Sequence, residues 1–135
     1  MGINGVSRIS RLGAPLLGAA MFLAGTMASV AVAQENDDTA EELGRTEQQG
    51  KDLAFNRKKG NCLACHVIPG GELPGNLGPS LVGVADRLSK ERIRKQIWDP
   101  EQFNTVTSMP PFGKHKILTE EEVDKIVAYL MTLHY

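Results

Sequence analysis

Cys62 and Cys65 stand two residues apart, and His66 follows directly after the second. They are the only cysteines in the chain. This five-residue stretch constrains the fold more than any other. Two intervening residues let the backbone make one turn, so both thiols and the next imidazole leave it on the same side. A disulfide across so short a loop would add little stability, so the pair calls for another use. The chain around it is poor in regular structure. Between Val67 and Val84 lie five glycines and three prolines, Pro69, Pro74 and Pro79, a composition of ordered loop.

Helical signals bracket that loop. Thr46-Glu47-Gln48-Gln49 fits a capping box and predicts a first helix from Thr46 to about Lys59, stopped by Gly60. Residues 34–45 are acidic and polar without apolar period, and are expected to be a disordered linker. A middle helix is expected from the cap Ser89 to Asp99-Pro100, with Ile93 and Ile97 on one face. A last helix follows Thr119-Glu120-Glu121-Glu122, where Val123, Ile126, Val127 and Leu130 repeat at helical spacing. No strand alternation of useful length occurs, so the fold class is all-α, three main helices with long loops. So thin a core needs a staple or a bulky cofactor at its centre.

Cys62-Leu63-Ala64-Cys65-His66 is the C-x-x-C-H attachment pattern of c-type haem. Two thiols add to the two vinyl groups of one porphyrin, and the next residue offers a neutral imidazole nitrogen to iron. Thioredoxin-like redox chemistry expects a βαβ setting that the sequence lacks. A zinc site needs four donors, and beyond this stretch only His115 and His134 remain. The sixth iron ligand is expected to be Met109, in a loop before Pro110-Pro111, with His115 as its rival. Met131 falls in the last helix and is expected to pack. Trp98 suits either the haem edge or ordinary core. His66/Met109 ligation leaves no open iron position, which fits electron transfer and not oxygen chemistry.

The first 33 residues differ from the rest. Arg8 and Arg11 precede an uncharged run from Gly13 to Ala33 that ends in Ala31-Val32-Ala33. A positive start, an apolar middle and a small-residue site predict a signal peptide cleaved after Ala33. A retained anchor is the alternative, but the run is rich in Gly and Ala and contains Pro15. No twin-arginine pair is present, so general export to the periplasm is expected, with no stable membrane span in the mature chain. Net charge is −1, which gives no bias towards nucleic acid.

Gly60 to His66, Gly78-Pro79-Ser80-Leu81-Val82-Gly83 and Met109-Pro110-Pro111-Phe112-Gly113 resemble class I cytochrome c. More narrowly, Pro69 to Asn76 and Gln96-Ile97-Trp98-Asp99 resemble the SoxX subunits of SoxAX cytochromes. The likeness covers about Leu53 to Leu133, and Ser80 stands where a second proline is frequent. It implies a class I cytochrome c domain over residues 46–135 holding one covalent haem c. It implies a SoxA-like cytochrome partner in a heterodimer, a SoxYZ-like carrier protein and a soluble acceptor cytochrome. In such a complex thiosulfate is joined oxidatively to a carrier cysteine, with the reacting cysteine on the SoxA-like subunit (an L-cysteine S-thiosulfotransferase). This chain would relay electrons and hold no catalytic residue, since Cys62 and Cys65 would be thioether-bound. A free-standing mono-haem shuttle is the alternative, and a haem enzyme or sensor with open iron is a third.

Overall fold

Residues 34–135 are described by the structure, a computed structural model. The expected signal peptide over residues 1–33 lies outside the described residues. Helix α1 spans Gln34–Phe55, α2 Val84–Arg87, α3 Lys90–Trp98 and α4 Glu120–Leu130. Short 3-10 turns occupy Cys62–Ala64 and Pro100–Gln102. Among the described residues there is no strand, and the all-α expectation holds.

Helix α1 starts well before Thr46. Residues 34–45, expected as a disordered linker, are its first turns, and their side chains from residue 37 onward are exposed. Side-chain pairs one turn apart support the helix, one at the end of this stretch and one beyond it. Arg45 bonds Glu41 at 2.9 Å one turn back, and Gln48 Nε2 donates to Asp52 Oδ1 at 2.9 Å. Acidic residues in the first turns also suit the positive end of the helix dipole. Thr46 does not cap. Its hydroxyl donates to the Glu42 carbonyl at 2.9 Å, inside the helix.

The other end of α1 is also earlier than the sequence implies. It stops at Phe55 because Asn56 takes the chain out. The Asn56 Oδ1 accepts from Lys58 N at 2.8 Å, a local bond that competes with helix. Gly60 then returns to α1, its N–H donating to Leu53 O at 3.1 Å. The left-handed residue is Asn61, at φ 46°, a conformation asparagine tolerates better than most residues.

Helix α3 begins as expected, with Ser89 Oγ accepting from Arg92 N at 3.3 Å. The capping box of α4 is complete: Glu122 N donates to Thr119 Oγ1 at 3.2 Å, and Thr119 N donates to Glu122 Oε2 at 3.0 Å. The other Glu122 oxygen takes Lys59 Nζ at 2.6 Å. Lys59 first, and the Thr119 amide second, hold the Glu122 carboxyl below its usual range. The start of α4 is thereby tied to the turn that follows α1.

The core forms where α1 crosses α4 and α3 packs beside them. Ala54, Val123, Ile126 and Val127 are fully buried, and Ile93, Ile97, Leu118 and Leu130 nearly so. Burying one such side chain stabilises by about 1.5–3 kcal/mol. Outside the core, Arg94 of α3 reaches α4 through Asp124 at 2.6 Å and Glu120 at 3.6 Å. At the carboxyl end, Ala85 N donates to Leu133 O at 3.2 Å and Tyr135 N to Asp86 Oδ2 at 2.9 Å. These bonds tie α2 to the chain terminus.

Gly50 is the closest point of the α1–α4 crossing. A Cβ there would overlap the Lys125 carbonyl oxygen and come within 3.0 Å of Tyr129 Cβ. Alanine in place of glycine favours helix by about 0.8–1.0 kcal/mol. Overpacking against backbone costs about 1–3 kcal/mol, so the clash wins. Gly50→Ala is expected to lower stability by about 1 kcal/mol or more in denaturant unfolding; a midpoint equal to the parent's would show that the helices can move apart freely.

Candidate haem site

The attachment turn grows directly out of the core. From Asn61 the chain enters the 3-10 turn, and Cys65 N and His66 N both donate to Cys62 O, at 3.2 and 2.9 Å. Cys62, Cys65 and His66 are thus gathered on one closed turn, as the spacing predicts. Both cysteines are half-buried, and neither is in a disulfide. Burial, above all, pushes the Cys62 thiol up to about 11. Among the described residues no group of three or more His, Cys, Asp or Glu side chains is placed to hold a metal ion.

The glycine- and proline-rich loop wraps back over this turn. Gly75 N donates to Leu63 O at 2.9 Å, Gly78 N to Cys65 O at 2.8 Å, and Leu81 N to Val67 O at 2.9 Å. The wrap delivers the Pro79 carbonyl to His66, 2.7 Å from Nδ1. A carbonyl only accepts, so Nδ1 carries the hydrogen and Nε2 keeps its lone pair. This fixes the tautomer and leaves Nε2 as the nitrogen able to ligate. Gly78 lies flat against the imidazole; a Cβ there would overlap Cε1 and stand 2.6 Å from Nδ1.

Met109 stands on the loop between the second 3-10 turn and α4. It is half-buried and packs on the hydrophobic cluster. Its N–H donates to Thr107 Oγ1 at 3.1 Å, and its Sδ accepts from Gln96 Nε2 at 3.9 Å. Beyond it Pro111, Phe112 and Gly113 are buried. Phe112 N donates to Ile97 O at 3.2 Å and Lys114 N to Trp98 O at 3.1 Å, pinning this loop to the end of α3. Lys114 Nζ reaches Glu101 at 2.7 Å and Asp99 at 3.2 Å.

His115 is exposed in the following turn. Trp98 is half-buried, packs on Gly113 and has the Arg94 guanidinium 5.5 Å from its ring centre. Met131 packs on the core just past α4.

These groups fit haem c. Two cysteines are correctly spaced for thioethers, and a tautomer-locked imidazole follows them. A thioether sulfur is held on a separate, pinned loop. The Gln96–Met109 contact, the Gly78–His66 contact and the Gly50 crossing were not legible in the sequence. Gln96 carried a faint signal, one helical turn after Arg92 on α3.

The fold and this donor set define a c-type cytochrome domain. Residues 46–130 match the family described as cytochrome c oxidase, cbb3-type, subunit III, and the chain belongs to that family. The structure is similar to that titled "Crystal structure of SoxXA from P. pantotrophus", with a TM-score of 0.60 and 27% identity. That likeness covers 66% of this chain and 82% of the other. An "Uncharacterized lipoprotein" of Aquifex aeolicus (strain VF5) is 41% identical over 75 residues. Those residues are 54% of this chain and 36% of that protein, so the chain matches about a third of that relative's length. The domain is therefore a SoxX-like cytochrome c. Among the described residues no helix is long and apolar enough to cross a membrane.

Gly78→Ala is expected to push His66 off the Pro79 carbonyl. Haem stain per unit of polypeptide should fall several-fold while helix content by circular dichroism is kept. A variant that takes up haem as the parent does would show the ring is not held by this contact.

Proposed function

We propose that this chain is a periplasmic electron-relay subunit of a sulfur-oxidising cytochrome complex. One haem c would be held through Cys62 and Cys65, with His66 and Met109 as the residues that would ligate its iron. The observation that carries the ligand assignment is the contrast between two loop side chains. Met109 is turned inward and held at both backbone and sulfur, whereas His115 is exposed. The likeness to SoxXA supports the narrower reading, in which a SoxA-like cytochrome is the heterodimer partner. A SoxYZ-like carrier would be the substrate protein, and a soluble cytochrome would take the electrons. The small-residue site ending at Ala33 supports export to the periplasm with cleavage there.

Haem c, when bound, supplies a one-electron iron couple. The chain's residues set how it is used. Cys62 and Cys65 hold the group covalently, so it is kept through repeated turnover. His66 gives its Nε2 lone pair, made more basic by Nδ1–H donation to Pro79. Met109 would offer a soft, neutral sulfur to the iron, a ligand that favours the reduced state and raises the potential. With His66 and Met109 both serving as ligands, small molecules would be kept from the iron. With Cys62 and Cys65 in thioethers neither would serve as a nucleophile, and this reading leaves thiosulfate chemistry to the partner subunit.

Met109→Ala should lower the potential and let carbon monoxide bind the reduced protein; an unchanged spectrum would remove Met109 from the assignment. The complex is tested by affinity purification of the tagged protein from its host grown on thiosulfate. A second, larger haem protein in equal amount is expected. A lone haem protein would favour the free-standing shuttle and end the sulfur-oxidation reading.

A further inference from the structure

The loop that orients His66 runs directly into α2. Arg87 of α2 donates back to three of its carbonyls: Ser80 O at 2.7 Å, Val82 O at 3.1 Å and Gly83 O at 3.2 Å. Ser80 follows Pro79, so this grip acts one residue from the carbonyl that meets His66 Nδ1. Pro79 has no N–H with which to fasten its own backbone. Helix α2 is four residues long. A single helical turn does not sustain itself in water, so Arg87 holds the loop as firmly as α2 is itself held. Val84 is buried at the start of α2. A second hold comes from residues 133–135. Leu133 is anchored in the core, and its carbonyl accepts from Ala85 N at 3.2 Å. Both oxygens of Asp86 are engaged next. Tyr135 N donates to Oδ2 at 2.9 Å, and His134 Nδ1 lies 2.5 Å from Oδ1. The Tyr135 ring covers Gly83, where a Cβ would overlap it.

We propose that residues 133–135 are a clasp, closed on Asp86, that holds the loop carrying the Pro79 carbonyl in place against His66. Asp86 is the positioning residue at its centre. This rests on the reading of His66 as a haem ligand. The route is continuous: core, Leu133, Asp86, α2, the Arg87 grip, Pro79, His66. An ionised carboxylate has only acceptors, so His134 Nδ1 carries the hydrogen at this contact. Neutral imidazole with its hydrogen on Nδ1 can make the bond, and so can imidazolium.

The charges support a clasp that stays shut in the neutral range. The His134 bond first, and the Tyr135 amide second, hold the Asp86 carboxyl below its usual range, and Arg87 beside it adds to this. The carboxylate therefore accepts from both donors at neutral pH. Its contribution is present above the ordinary carboxyl value and is lost as pH falls through the lowered one. A plainer role for Asp86 is that of an acid in the first turn of a helix, where the dipole favours it. That role would act within α2 and would not involve residue 134. The clasp does involve it, so the two accounts part at His134.

The test uses the complete, haem-loaded, reduced protein and hydrogen exchange read by nuclear magnetic resonance. Three hydrogens are followed: the His66 ring N–H, the Leu81 amide in the loop, and the Val123 amide of α4 as the measure of global opening. His134→Leu removes one donor and leaves α2 untouched. Exchange at His66 and Leu81 is expected to rise about threefold, the scale of one weak, exposed hydrogen bond. Asp86→Ala loses two such bonds and should raise it about tenfold. In the double variant His134 has already lost its partner, so the rise should equal that of Asp86→Ala alone. Val123 should exchange as in the parent throughout. If Asp86→Ala fails to mature, His134→Leu decides alone. Parent-like exchange at His66 in His134→Leu overturns the proposal, and so does a rise that Val123 matches. A parent His66 ring hydrogen without the ring-current shift of a haem-bound histidine would overturn the ligand reading, while the exchange rates would still judge the clasp.

Discussion

Where α1 crosses α4, Gly50 lets one helix backbone approach the other with no side chain between them. The rest of the domain hangs on that contact. It brings Ala54 of α1 against Val123, Ile126 and Val127 of α4, the most fully buried apolar surface in the molecule. The attachment turn leaves the end of α1 within a few residues of the crossing. Gly60 bonds back to Leu53, and Lys59 is tied to the capping glutamate of α4. The cysteines and His66 are thus placed by rigid elements, although they sit on a turn and a loop follows them.

A cytochrome site needs two ligands delivered from opposite directions with little freedom in either. For the proposed pair, His66 and Met109, the chain offers separate means. On the His66 side a loop folds over the turn and presents a carbonyl, which sets the tautomer; glycine at position 78 is what permits so close a wrap. On the Met109 side the loop is laced to the end of α3 by backbone bonds from Phe112 and Lys114. In the proposed site, pre-organisation of this kind would lower the rearrangement that accompanies a change of charge on iron. It also explains why so many loop residues in a small domain are ordered: their backbone groups are bonded to the turn or to α3.

The elements bearing a strong local signal were legible. The α4 capping box and its apolar spacing, the Ser89 cap, the Asp99-Pro100 stop and the C-x-x-C-H turn all follow from neighbours within a few residues. Reading failed at α1 for a physical reason. Thr46-Glu47-Gln48-Gln49 has the composition of a capping box, but the preceding acidic stretch is itself competent to be helical through one-turn side-chain pairs, so the threonine became an interior residue. Likewise Gly60 looked like a helix end, but the asparagine four residues earlier had already diverted the backbone.

By itself the sequence determined the cofactor chemistry, the all-α class and the two candidate loop ligands, because attachment spacing, helix periodicity and residue type are local properties. Only the tertiary structure decided which loop side chain turns inward, which carbonyl orients His66, and that an amide from α3 reaches the Met109 sulfur. Those facts depend on contacts between residues distant in the chain. They are fixed by how closely the helices pack and where the loops are fastened, and neither is written in any short stretch of sequence.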